Sequence, residues 1–238
     1  MSAFSRFLRA RLSPEGYLGL HLTTGALVLV AAGAFFGAIA GQVTAGAPIT
    51  VLDLQIAQWL HARATPALTS ALLLLTHLHG ITAISIWTIV LACYLTSRRE
   101  WYWLLSTAVA VAGGMLLNVA MKYAFHRARP SFDEPLLTLS TYSFPSGHTA
   151  ASTLFYGVLA AYLCSRVCGH AKRVLIVAAA MMLVALVGFT RMYLGVHYFT
   201  DVAAAMAEGC AWLALTLTTV STFRRRGRLR AVHGVNPL

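Results

Sequence analysis

The sequence predicts an all-α polytopic membrane protein: a six-transmembrane-helix bundle with an interfacial helical hairpin between the first and second spans. Three observations lead there. The 238-residue chain is 58% hydrophobic and 11% charged, with a mean hydropathy of +0.71, too apolar for an ordinary soluble domain. Several of its apolar runs are long enough to cross a hydrocarbon core of about 30 Å. Its basic residues stand in short clusters flanking those runs, as membrane topology requires. The formal charge of +11 therefore does not point to nucleic acid, whose partners carry a basic stripe along one face.

Residues 1–16 form a basic lead-in carrying Arg6, Arg9 and Arg11. The first apolar run is long and has no small-residue cleavage site, so it reads as an anchor and not a cleaved signal peptide. The membrane domain occupies 17–222. Its first span covers about 17–43, where Gly33, Gly37 and Gly41 give a smooth stripe suited to close packing with another helix. Gly46 and Pro48 break it. In 51–78, Leu52, Ile56 and Leu60 recur at helical spacing opposite Asp53, Gln55 and His61, which predicts a short amphipathic helix. Pro66 then opens a second apolar run too short to span alone. The expected result is a hairpin at the interface that partly roofs the bundle; a tilted, buried span is the alternative.

The second span follows at about 81–96 and the third at 101–123, the latter opening on Trp101 and Trp103 as interfacial aromatics. A polar, proline-bearing loop fills 124–147. The remaining spans are expected near 149–165, 174–193 and 198–220, before a basic tail over 223–238 that includes Arg224, Arg225, Arg226 and Arg228. Cys93, Cys164, Cys168 and Cys210 contain no Cys-x-x-Cys pair and read as small core residues.

Placing the N-terminus in the cytoplasm puts thirteen of the 18 Lys and Arg residues on inner segments, in accord with the positive-inside rule. The other five are Arg63, Lys122, Arg127, Arg129 and Arg191. Three of these lie between 122 and 129, and Arg191 adds a fourth close to His197 and Asp201. Ionisable groups at a membrane are costly, so the stretch from Lys122 to Asp201 reads as functional.

This topology gathers Lys122, Arg129, His148, Arg191 and His197 at the outer ends of their helices. His197 and Asp201, four apart, share a helix face. The carboxylate can accept the Nδ1 hydrogen, leaving Nε2 as a free lone pair and supporting the charge that develops when it attacks. His148 opens a helix directly after Pro145, Ser146 and Gly147, where exposed amides suit an anion and glycine permits close approach. Lys122, Arg129 and Arg191 supply positive charge for a phosphoryl group. Each residue alone has an ordinary role: snorkelling for Arg191, a structural imidazole for either histidine, a cap for Ser146. The set at one face points to chemistry. Glu208, two turns below Asp201, reads as a polar contact inside the bundle. His77 and His79 form a His-x-His pair that is weak evidence for a metal. Asp133 and Glu134 could orient a cation or be solvated.

Three segments of the chain, Lys122-x6-Arg129-Pro130, Pro145-Ser146-Gly147-His148 and Arg191-x5-His197-x3-Asp201, resemble the tripartite signature of the type 2 phosphatidic acid phosphatase family, which also includes vanadium haloperoxidases and glucose-6-phosphatase. Thr190 stands where that signature usually has serine. The resemblance implies that Lys122, Arg129 and Arg191 bind phosphate oxygens, with Ser146 and the Gly147 backbone assisting. It implies that His197 attacks phosphorus, oriented by Asp201, while His148 protonates the leaving oxygen and then activates water, with neither metal nor cofactor. The implied substrate is a lipid phosphate or isoprenyl diphosphate: phosphatidylglycerol phosphate, phosphatidic acid or undecaprenyl diphosphate. The expected setting is a bacterial-type inner membrane, with both termini cytoplasmic and the site facing outside. A lipid phosphotransferase using the same phosphohistidine is the enzymatic alternative. A non-catalytic anion-binding or transport protein is the other, although a transporter would place its charges near mid-bilayer.

Overall fold

A computed structural model of the protein describes residues 19–232, and all regular structure among them is helical. The lead-in, the start of the first span at Tyr17 and the last residues of the tail lie outside the described residues. Eight helices follow in order: α1 (Leu20–Thr44), α2 (Ile49–His61), α3 (Pro66–Leu78), α4 (Ile81–Ser97), α5 (Trp101–Phe125), α6 (Gly147–Arg166), α7 (His170–Tyr193) and α8 (Phe199–Val232). Helix α5 contains one π-helical turn, Val109–Gly113.

Helices α1, α5, α7 and α8 are long and apolar enough to cross a membrane, and α3 with α4 passes the same test as a pair bent by 42°. The chain is a multi-pass membrane protein with four or five spans by these criteria. Two expected spans fall short for different reasons. Helix α4 has 17 residues. Helix α6 has 20 but buries Thr149, Ser152 and Thr153 among its neighbours, and a helix walled in by protein has no need of an apolar circumference.

Helix α8 is the axis of the packing, running beside α1 and α6, while α6 also packs against α7. Close approach is set by glycines. A methyl group on Gly209 would fall 2.7 Å from Thr153 Cγ2, and one on Gly114 would fall 2.6 Å from the Leu154 methyls. Ala110, Val111, Leu154, Val158 and Leu213 fill the space between α5, α6 and α8. Nearer the site, Phe36, Phe125 and Phe144 cluster over Ile39, Ala40 and Ala204.

Several expectations need correction. Gly33, Gly37 and Gly41 meet nothing within 4 Å, so the smooth stripe of α1 faces away from the bundle; Gly25 makes the close approach instead, against Thr218. The four cysteines are free, and Cys93, Cys168 and Cys210 are exposed. In a bilayer the apolar exterior is itself stable, so a thiol in an apolar segment has no need of the core. Helices α2 and α3 are present at 13 residues each, about 20 Å at helical rise. The face of α2 is only partly the expected one: Leu60 is buried and Gln55 exposed, but Asp53 is buried and Leu52 exposed. Helix α8 also continues past 220, through the arginine cluster to Val232.

Candidate active site

The site is assembled where α7 ends, α8 begins, α6 begins and the loop after α5 folds back. Helix α7 stops at Tyr193, and Gly195 takes the left-handed conformation at φ +70° that a glycine adopts without a side-chain clash. The amides of Val196 and His197 both return to the Arg191 carbonyl at 3.2 Å. The five-residue spacing between Arg191 and His197 is therefore one tight helix exit, which carries both side chains to the same place. A methyl group on Gly195 would also lie 2.8 Å from the Phe132 ring, so the turn and the loop fit closely.

His197 is 2% exposed and Asp201 is fully buried. His197 Nδ1 lies 3.3 Å from Asp201 Oδ2, and Arg129 Nη1 lies 3.2 Å from His197 Nε2. A guanidinium only donates, so Nε2 is the acceptor and Nδ1 carries the hydrogen that bonds Asp201. The imidazole is thereby fixed as the tautomer a nitrogen nucleophile needs. Burial pushes the His197 pKa down to about 4, against the opposing pull of Asp201. The ring is neutral at ordinary pH.

Asp201 is held from several directions. Its Oδ2 accepts the Tyr198 amide at 2.9 Å and the Ser143 hydroxyl, and its Oδ1 accepts Arg127 Nη1 at 2.6 Å. The Asp201 carbonyl receives the Ser146 amide at 3.1 Å, which docks the start of α6 onto α8.

Around His197 stand the cations. Arg191 is 1% exposed; its Nη1 donates to Thr76 Oγ1 at 2.6 Å, while Nε and Nη2 have no protein partner. Buried donors without acceptors are costly, and an anion in the site would satisfy both. Arg129 donates to the carbonyls of Thr141 and Val196 at 2.6 Å each, so its guanidinium is clamped by the loop and the α7–α8 turn. Burial lowers its pKa. Lys122 Nζ donates to the Tyr142 carbonyl at 2.8 Å. His148 lies within electrostatic reach of Arg191, His197, Arg129 and Lys122. A methyl group on Gly80 would sit 3.5 Å from His148 Nε2, so the α3–α4 break flanks this ring.

All eight residues singled out from the sequence thus lie at one end of the bundle. Gly147 is the first residue of α6, and the Ser146 carbonyl accepts the Ala150 amide, so the amides of Gly147, His148 and Thr149 precede the first helical bond. Ser146 is fully buried, with its hydroxyl receiving that of Thr149 at 3.0 Å. Thr190 is buried and returns its hydroxyl to the Val187 carbonyl at 2.7 Å. His77 and His79 bond carbonyls of their own helix through Nδ1. Asp133 and Glu134 are exposed. Glu208 is paired with Asn118 Nδ2 at 2.9 Å inside the bundle.

Sequence reasoning missed Asp53, Ser143 and Thr76, and gave Arg127 no role. Arg127 Nη2 lies 2.7 Å from Asp53 Oδ2, and Asp53 Oδ1 accepts the Thr200 amide at 3.0 Å. Burial works against the Arg127 charge, but Asp201 and Asp53 outweigh it and raise its pKa. The available signal was Asp53 itself, one of only seven acidic residues in the chain.

Residues 101–225 match the PAP2 superfamily. The chain belongs to that superfamily. The matched region opens at α5 and takes in every site residue named above except Asp53 and Thr76, which the N-terminal half contributes. Phosphatidylglycerophosphatase B of Bacillus subtilis is 38% identical over 115 residues, 47% of this chain and 55% of that protein. Lipid A 1-phosphatase of Rhizobium johnstonii is 35% identical over 50% of this chain and 47% of that protein. Decaprenylphosphoryl-5-phosphoribose phosphatase of Mycobacterium tuberculosis is 33% identical over 56% of this chain and 68% of that protein. The aligned region thus spans about half the length of the first two relatives. Among solved structures, the transmembrane PAP2-type phosphatidylglycerolphosphate phosphatase of Bacillus subtilis superposes with a TM-score of 0.69 at 26% identity, over 86% of this chain and 96% of that one. Aquifex aeolicus LpxE shares the fold at a TM-score of 0.57 and 24% identity, over 70% of this chain and 94% of that one.

Proposed function

We propose that the protein is an integral-membrane lipid phosphatase that cleaves a phosphomonoester or diphosphate headgroup through a phosphohistidine on His197. The carrying observation is the His197 contact pair: Nδ1 on Asp201 and Nε2 facing Arg129. A phosphoryl group entering the site takes Arg129 and the two unpartnered Arg191 donors, with Lys122 and the first amides of α6 on its remaining oxygens. His197 Nε2 then attacks phosphorus as the bond to the leaving oxygen breaks, and His148 gives that oxygen its proton. In the second half, His148 takes a proton from water, the hydroxide attacks the phosphohistidine, and phosphate leaves with His197 restored. The Asp201 carboxylate stabilises the imidazolium-like charge on His197 in both halves, and the fixed cations stabilise the charge on the transferring group.

Lipid substrates are favoured because the matched relatives are named for phosphatidylglycerophosphate, lipid A and decaprenylphosphoryl substrates. Such molecules put an anionic head at the interface and chains among helices, which suits a site at one end of a bundle. In the full proposal α4 and α6 join α1, α5, α7 and α8 as six spans, and α2 with α3 lies at the interface. The membrane is a bacterial-type inner membrane, with the site outside and the termini in the cytoplasm.

Phosphate release from phosphatidylglycerol phosphate and from undecaprenyl diphosphate should be measured in parallel on detergent-purified protein, in EDTA, beside His197→Ala. Release by the wild type alone supports the reading, and the preferred lipid names the substrate. Release that survives His197→Ala overturns it.

A further inference from the structure

We infer that Asp53 of α2 and Arg127 form a positioning pair that aims the Asp201 carboxylate at His197, making α2 a working part of the site. The inference rests on the reading of His197 as nucleophile. Asp201 bonds His197 through Oδ2, and an imidazole is oriented only as well as the carboxylate that holds it. The Tyr198 amide and the Ser143 hydroxyl hold that same oxygen. Arg127 Nη1 holds the other at 2.6 Å, so the carboxylate plane is fixed from both sides.

Arg127 is itself fixed by Asp53, outside the signature segments, and by Tyr198 and Thr200 within the third. Its Nη2 lies on Asp53 at 2.7 Å, its Nη1 also donates to Thr200 Oγ1 at 2.7 Å, and its guanidinium carbon sits 4.3 Å above the Tyr198 ring. Asp53 is 1% exposed and accepts the Thr200 amide and hydroxyl. Thr200 is the second residue of α8, whose own first turn carries Asp201, so Asp53 supplies from another helix a second carboxylate at the start of α8. One planar fork thus stands between two buried carboxylates, a geometry a lysine cannot reproduce. Taking the guanidinium away would leave Asp53 and Asp201 near each other without their shared cation.

The charged and titratable groups facing His197 are Asp201 from α8, Arg129 from the loop, Lys122 from α5, Arg191 from α7 and His148 from α6. Only Asp201 is reached by Arg127. Asp53→Asn, Arg127→Gln, Arg127→Lys and the double variant Asp53→Asn/Arg127→Gln should be purified and assayed for kcat, KM, inhibition by inorganic phosphate and the pH dependence of kcat/KM. Melting temperature should be recorded alongside. Asp53→Asn should lower kcat by up to about a hundredfold while phosphate inhibition is kept, because Lys122, Arg129 and Arg191 are untouched. Arg127→Gln should lower kcat further and move the acid limb upward, as Asp201 loses a competing cation. Arg127→Lys should recover only part of the loss, and the double variant should fall short of the product of the single effects. Should Asp53→Asn fold poorly, Thr200→Val removes one hydroxyl from the network without touching a charge, and should lower kcat in the same direction.

Wild-type kcat and an unmoved acid limb in folded Asp53→Asn and Arg127→Gln would overturn the inference. So would a matched rise in KM and in the phosphate inhibition constant with kcat intact. Activity in His197→Ala would instead remove the reading beneath it, independently of how Asp53 behaves.

Discussion

The two ends of the bundle use charge in opposite ways. At the site end, Asp53, Asp201 and Arg191 are each no more than 1% exposed, and Asp201 alone takes four side-chain or amide partners. At the far end, Arg166 and Glu100 join the end of α6 to the start of α5 while 45% and 28% exposed. Nearby, Arg224 lies over the Tyr102 ring. Exposed pairs are screened by water and contribute little. Asp53 and Asp201 keep their buried charge because neighbours satisfy it, so their geometry is stiff. Asp53 and Asp201 are two of the chain's seven acidic residues, and the difference between the ends predicts how each responds to mutation.

The largest effects belong to the site end. His197→Ala should abolish phosphate release, and Asp201→Asn should lower kcat by about 10⁴-fold, as expected when a histidine loses its orienting carboxylate. If Asp201→Asn keeps near-normal turnover, buried charge at this end serves folding alone. Arg191→Ala should cost about 10²–10³-fold in kcat, more than any single arginine at the far end.

The pH profile sharpens the contrast. His197 takes up its second proton only below about 4, against an ordinary value of 6.5, so on the proposed mechanism the acid limb in kcat/KM should lie near the lower figure. The same shift carries a stability change with a definite sign. A depressed folded-state pKa means the unfolded chain binds the extra proton first. The His197 contribution is therefore present above about 6.5 and is lost as pH falls towards 4. A nucleophile limb at 6.5 in the wild type would mean the ring is solvated.

Packing should follow the same division. Gly209→Ala, which forces a methyl against Thr153, should destabilise by about 1–3 kcal/mol in thermal unfolding. Gly33→Ala, with open space around it, should leave the melting temperature unchanged. The smallest effect is expected for Glu100→Gln, which should change neither phosphate release nor melting temperature measurably.

Much of the site was legible because the chemistry is written in short spacings. Arg191-x5-His197 is one helix exit and His197-x3-Asp201 is one helical turn, and local geometry of that kind is carried by a few residues. Four of the six expected spans were legible from apolar length. Asp53 was not, because its role depends on which way α2 faces, and an amphipathic pattern does not say whether its polar side meets solvent or a buried arginine. Gly33, Gly37 and Gly41 misled for the related reason that a smooth stripe permits close packing without supplying a partner.

The sequence by itself determined the all-α membrane architecture, the family signature and eight of the residues gathered at one end of the bundle, since hydropathy and short-range spacing are properties of the chain alone. Only the tertiary structure decided which charges are shared. That Arg127 stands between Asp53 and Asp201, 74 positions from each, follows from how α2 docks against α8, and no local pattern encodes a contact made at such a separation.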